Sequence, residues 1–124
     1  MNAERLRPAH ALRVLCLGLA FATTLGGCAE AEHRAALDAI VREGVTEAQL
    51  PTRLNIRFEV RQRGEPSWDA LLTFLAREPQ GNFGPLREAV KKYPRILYHT
   101  TAWQMTWLFV DEEGVVRGYF LSSQ

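Results

Sequence analysis

Apolar and polar positions repeat with two different periods along this chain, and each change of period marks an element. In residues 31–44, AEHRAALDAIVREG, His33, Ala36, Leu37, Ile40 and Val41 share one face at helical spacing, and Gly44 is a natural stop. Thr46 and Gln49 have capping-box spacing, so a single capped turn is expected before Pro51. The period then drops to two. Leu54, Ile56, Phe58 and Val60 alternate with Asn55, Arg57, Glu59 and Arg61, which predicts a half-buried strand over 53–63 closed by the turn residues RGEP. Ser67 is the expected cap of a helix through WDALLTFLARE, with Trp68, Leu71, Leu72 and Leu75 inward and Phe74 widening that face. PQGNFGP, residues 79–85, breaks the pattern. Pro85 then opens a helix whose inner face is Leu86, Ala89, Val90 and Tyr93, and Pro94 ends it.

The remainder reads as β. Residues 95–110 form one long apolar run, expected as a single strand with a bend or bulge at 100–102. VVRGYFLS mirrors it across DEEG, a hairpin turn. The fold class expected is α+β: a small two-layer domain with three helices packed on a small antiparallel sheet that ends in a C-terminal β-hairpin. Trp103, Met105, Trp107 and Phe109 share one parity and are expected to face the helices. The other parity is apolar too, and one helical layer covers one face only. Leu108 and Val110, joined by Gly118 and Phe120 from the partner strand, are therefore expected as an exposed strip, with Leu108, Val110 and Phe120 the candidate partner-binding residues.

The amino terminus changes the picture from fold to address. Arg5, Arg7 and Arg13 precede the uncharged run VLCLGLAFATTL, which is shorter than the roughly 20 apolar residues of a spanning helix. Leu25-Gly26-Gly27-Cys28 follows: an aliphatic residue, two small ones and a cysteine. This layout resembles the signal peptide and lipobox of bacterial lipoproteins. The resemblance implies cleavage after residue 27, a diacylglycerol on the Cys28 sulfur, and acylation of the freed amine. Ala29 stands where an aspartate resembles an inner-membrane retention signal, so the outer membrane, facing the periplasm, is the expected location. More than one acyl chain suffices for stable anchoring.

Cleavage there leaves residues 28–124 as a single periplasmic domain of 97 residues with 12 basic and 13 acidic side chains. That balance argues against a nucleic-acid binder, which needs a strongly basic face. The expected partners are the membrane, through lipid on Cys28, and an envelope protein. Cys16 departs with the signal and Cys28 is taken by lipid, so no disulfide is expected.

Candidate chemistry is sparse. The only histidines after residue 28 are His33 and His99, read as a boundary residue and a strand residue. Ser67, His99 and Asp111 could be assembled into a triad only on paper. Asp111, Glu112 and Glu113 lack EF-hand spacing, and the glycines at 81 and 84 lack the lysine and preceding strand of a phosphate loop. No catalytic residue, metal ligand or cofactor is expected. EGVTEAQL (43–50) and WLFVDEEGVVRGY (107–119) are similar to segments of the SmpA/OmlA family of small outer-membrane lipoproteins. That resemblance implies an accessory role in β-barrel assembly, although the family runs two helices into three strands and here a strand precedes two further helices. A non-enzymatic envelope interaction domain is thus the first reading. An inhibitor or immunity-like lipoprotein, plugging a hydrolase with residues 64–66 or 79–85, is the second.

Overall fold

The computed structural model describes residues 25–123. They fall into two compact units, one ending at Ala39 and the other running from Ile40. Among the described residues there are four α-helices and four strands: α1 (Leu25–Glu43), a 3-10 turn (Glu47–Gln49), α2 (Leu50–Arg53), β1 (Glu59–Gln62), α3 (Pro66–Arg77), α4 (Gly84–Lys92), β2 (Arg95–Thr100), β3 (Gln104–Val110) and β4 (Val116–Ser123). The strands form one antiparallel sheet in the order β1-β2-β3-β4.

The α+β class is as expected, but the long run 95–110 is two strands rather than one. Thr101 N–H donates to Gln104 O at 2.8 Å, leaving Ala102 and Trp103 as a two-residue tip. Nothing in TTAW carries the Gly, Asn, Asp or Pro that signals such a turn. The Thr101 hydroxyl compensates by accepting from Gln104 N–H at 3.2 Å. The one register slip lies elsewhere, between β3 and β4. Phe109 pairs with Gly118 but Val110 with Val116, so Arg117 is the extra residue of a bulge.

Local chemistry explains most element ends. At the C-terminus of α1, Gly44 has φ 65°, Gly44 N–H donates to Val41 O and Val45 N–H to Ile40 O. That pair of bonds is a Schellman close, which needs the left-handed residue glycine supplies. Within α1, Leu37 and Ile40 are buried and His33, Ala36 and Val41 half-buried. The Gln49 side chain accepts from Thr46 N–H at 3.0 Å, the expected reach-back of a capping box. Helix α3 starts one residue before the expected cap: Glu65 is the N-cap, Pro66 takes the first turn, and Ser67 lies inside the helix. Proline needs no hydrogen bond there and its φ already fits. Trp68, Leu71 and Leu75 are buried as expected, whereas Leu72 is 42% exposed. In α4, Leu86 and Ala89 are buried, with Val90 and Tyr93 at the margin.

The larger correction concerns the layers. One face of the sheet buries Ile96, Trp107 and Phe109 against Trp68, Leu71 and Leu75 of α3 and Leu86 and Ala89 of α4. The other face is buried as well: Leu97 is 1% exposed, and Leu108, Val110 and Val116 are 0% exposed. Its cover includes the strap from Ile40 to Arg53, in which Ile40, Val45 and Leu50 are buried. Val116 N–H donates to Val45 O at 2.9 Å, and Thr46 bridges Val115. Arg95 of β2 grips the Glu47 carboxylate through Nε (2.5 Å) and Nη2 (2.7 Å) and also donates to Gln62 at 3.0 Å. Leaving such aliphatics in water would forgo about 1.5–3 kcal/mol per side chain, which is why the strap is drawn over them. The expectation of a two-layer domain with one open sheet face fails here.

Candidate interaction surface

The residues singled out by sequence land in different places. Cys28 lies in the first turns of α1, but its side chain and residues 1–24 are outside the described residues, and with them the basic head and apolar run. Leu108 and Val110 are wholly buried under the strap, so they form no exposed strip. Phe120 is half-buried and sits opposite Trp107, on the face of α3 and α4 rather than beside Leu108. Gly118 belongs to that same face, where a Cβ would come within 3.0 Å of the Phe109 ring. In the expected inward row, Trp107 and Phe109 are buried and Met105 half-buried, whereas Trp103 is 78% exposed at the β2–β3 tip.

The polar candidates are structural parts. His99 pairs with Thr106, five residues along β3 from Asp111, which separates His99 from Asp111 by roughly 16 Å. Asp111 organises the β3–β4 turn. Its Oδ1 accepts from Glu113 N–H (2.9 Å) and Val115 N–H (3.0 Å), and its Oδ2 accepts from Arg117 Nε at 2.7 Å. The Arg117 bond first, then the two backbone donors, hold the Asp111 carboxyl below the usual carboxylate range. Among the described residues no group of three His, Cys, Asp or Glu is placed to hold a metal ion. The segment 79–85 is pinned from beneath: Arg87 donates to the carbonyls of Glu78, Pro79 and Asn82 at 2.8–3.1 Å. Phe83, left-handed at φ 59°, holds its ring edge-on to Phe74 and Phe120.

What remains open is the β1 edge. The predicted strand 53–63 is paired only over Glu59–Gln62. The chain ahead of it, residues 54–58, runs along the domain with Leu54, Ile56 and Phe58 half-buried and Asn55 and Arg57 exposed. Phe58 and Arg57 lie opposite His99 and Thr100, the last residues of β2, without joining the ladder, and residues 54–56 run past the point where β2 turns away into β3. A side chain replaces the ladder at that point: His99 Nδ1 donates to Arg57 O at 3.2 Å, and its ring meets Phe58 edge-on at 6.1 Å. The row borders a groove of about 400 Å³, floored by Leu50 and Leu97 and flanked by Leu54, Ile56, Phe58 and Val60.

The direction of each main-chain group in this segment follows from two bonds. Arg63 N–H donates to Pro94 O, and Arg57 O accepts from His99, so the odd-numbered residues turn their backbone groups toward β2. Even-numbered residues therefore turn theirs outward. Among the described residues nothing in the protein takes the N–H or C=O of Ile56 or Phe58, and Val60 O meets only Arg61 Nη1 at 3.4 Å. Sequence periodicity placed this row correctly as half-buried. That it lies at a sheet edge with free backbone groups was beyond its reach. Compared with known proteins, the chain matches no protein-family model, no curated protein and no solved structure.

Proposed function

We propose that this chain is a lipid-anchored cell-envelope protein whose folded domain is a non-enzymatic interaction module. The observation that carries the reading is Leu25-Gly26-Gly27-Cys28, set directly after a basic head and an uncharged apolar run. In this reading Cys28 bears the lipid, the lack of an aspartate at position 29 points to the outer membrane, and residues 28–124 face the periplasm. Support for an interaction role comes from the β1 edge: a row of half-buried apolar side chains beside a groove, with main-chain donors and acceptors free to pair. Extended segments bind such edges by strand addition. Of the polar residues weighed for catalysis, Asp111 organises the β3–β4 turn and His99 is bonded to Arg57 O.

The anchor is tested by Cys28→Ala in cells fed a labelled fatty acid. The wild-type chain should carry label and sediment with membranes as a processed form. The variant should accumulate unlabelled with Met1 intact. A wild-type envelope form that itself retains Met1 would sink the reading. Capture from detergent-solubilised envelope sorts the interaction role: an abundant envelope complex supports the accessory role, and a single secreted hydrolase would support the inhibitor role.

A further inference from the structure

We infer that the β1 edge is a self-association surface, occupied by a second copy of this chain in antiparallel pairing with Phe58 opposite Phe58. Three observations carry this. The sheet has two edges, and the strap meets the β4 edge at its start, through Val116 N–H to Val45 O and the Thr46–Val115 bridge. The β1 edge offers the outward N–H and C=O of Ile56, Phe58 and Val60, so pairing there continues the ladder instead of interrupting it.

The third observation is charge. A two-fold axis at Phe58 sets Ile56 against Val60 at hydrogen-bonded positions. It sets Arg57 of each copy against Glu59 of the other at non-hydrogen-bonded positions, where facing Cα atoms are only about 4.5 Å apart and side chains meet most closely. Both Arg57 and Glu59 are exposed in the single chain, so two opposite-charge pairs form with little rearrangement. Neighbouring registers are worse. An axis at Val60 would pair Glu59 with Arg61, whose guanidinium already lies over the Tyr98 ring at 5.6 Å, and would oppose Arg57 with Arg63, a like-charge pair whose second member already caps α4 through the Val90 and Tyr93 carbonyls. An axis at Ile56 would oppose Glu59 with Arg53, which lies in α2 and is paired with Glu43 at 2.9 Å. The even-numbered side chains of both copies would then line the same face, extending each groove into the other. The inference stands apart from the lipid anchor but rests on the same edge that supports the interaction reading, with a second copy of this chain as the occupant.

The test is sedimentation of the full chain in detergent over a range of concentrations, with Arg57→Glu, Glu59→Arg and the double exchange. The wild type should dimerise. Each single reversal turns two attractive pairs into two like-charge pairs and should raise the dimer dissociation constant by about tenfold or more. The double exchange restores both pairs and should restore the dimer. Amide exchange at Ile56, Phe58 and Val60 should slow as the wild-type dimer forms, a readout that needs no variant. A wild type that remains monomeric, single reversals that leave the dimer unchanged, or a double exchange that fails to recover it would each overturn the inference.

Discussion

Strand β3 and the segment 54–60 both alternate large apolar residues at period two, yet one lies at the centre of the domain and the other along its rim. The difference is in the second parity. Between the apolar residues of 54–60 stand Asn55, Arg57 and Glu59, all exposed. In β3, Trp107 and Phe109 alternate with Leu108 and Val110, and all four are buried. A strand that is apolar on both parities must be covered on both faces, and it is paired on both sides as well, by β2 and β4. A strand apolar on one parity can stop half-covered at an edge. The surplus apolar surface of the C-terminal hairpin therefore calls for a second cover, the strap Ile40–Arg53, and the open sheet edge lies on the strand that carries charge.

The sharpest way to break this contrast is truncation on each strand. Leu108→Ala should cost about 2–5 kcal/mol, because it opens a cavity in a fully enclosed site. Phe58→Ala should cost about 1 kcal/mol, since its half-buried ring already borders open space. Urea unfolding of the two variants decides it, and equal losses would erase the distinction between centre and rim.

A smaller effect tests whether the strap is held by more than apolar contact. Arg95→Ala removes the two-point grip on Glu47 and the bond to Gln62. Both side chains of the ion pair are about one-third exposed, so screening limits the loss to about 1–2 kcal/mol. The same urea series should show it, and a variant as stable as wild type would leave the apolar contacts of Val45 and Leu50 and the backbone bonds of Val45 and Glu47 as the fastening.

The smallest effect is acid sensitivity at the tip of the β3–β4 hairpin. Asp111 is held below the usual carboxylate range in the fold, so its contribution is fully present above its unfolded pKa of about 4 and is lost as pH falls through the lower folded value. Asp111→Asn should flatten the acid limb of the stability curve by lowering stability slightly at neutral pH while leaving it nearly unchanged at low pH, where the wild-type carboxyl is already protonated. An acid limb identical to that of wild type would remove the turn from the list of causes.

Legibility in the sequence followed how local the deciding physics is. The helix stop at Gly44, the Gln49 reach-back, the DEEG turn and the inner faces of α3 and α4 depend on neighbours within one or two turns, and they were readable. The TTAW tip was not, because its turn is closed by a threonine hydroxyl and not by a residue with unusual backbone freedom. Leu72 was misplaced by a single step around a helix whose apolar arc is wider than the surface that receives it.

By itself the sequence determined the α+β class, the order of the main elements up to Pro94, the apolar side of the main helices, and an amino-terminal pattern that resembles a lipoprotein signal ahead of Cys28. Each of these is a property of residues close along the chain. Only the tertiary structure decided that the strap closes over the second sheet face, that Phe120 lies with Trp107 and not with Leu108, and that 54–58 runs unpaired along and past the end of β2. Those outcomes depend on which distant segments meet. A period of two says which side chains share a face, and says nothing of what will cover that face or which strand will be left without a neighbour.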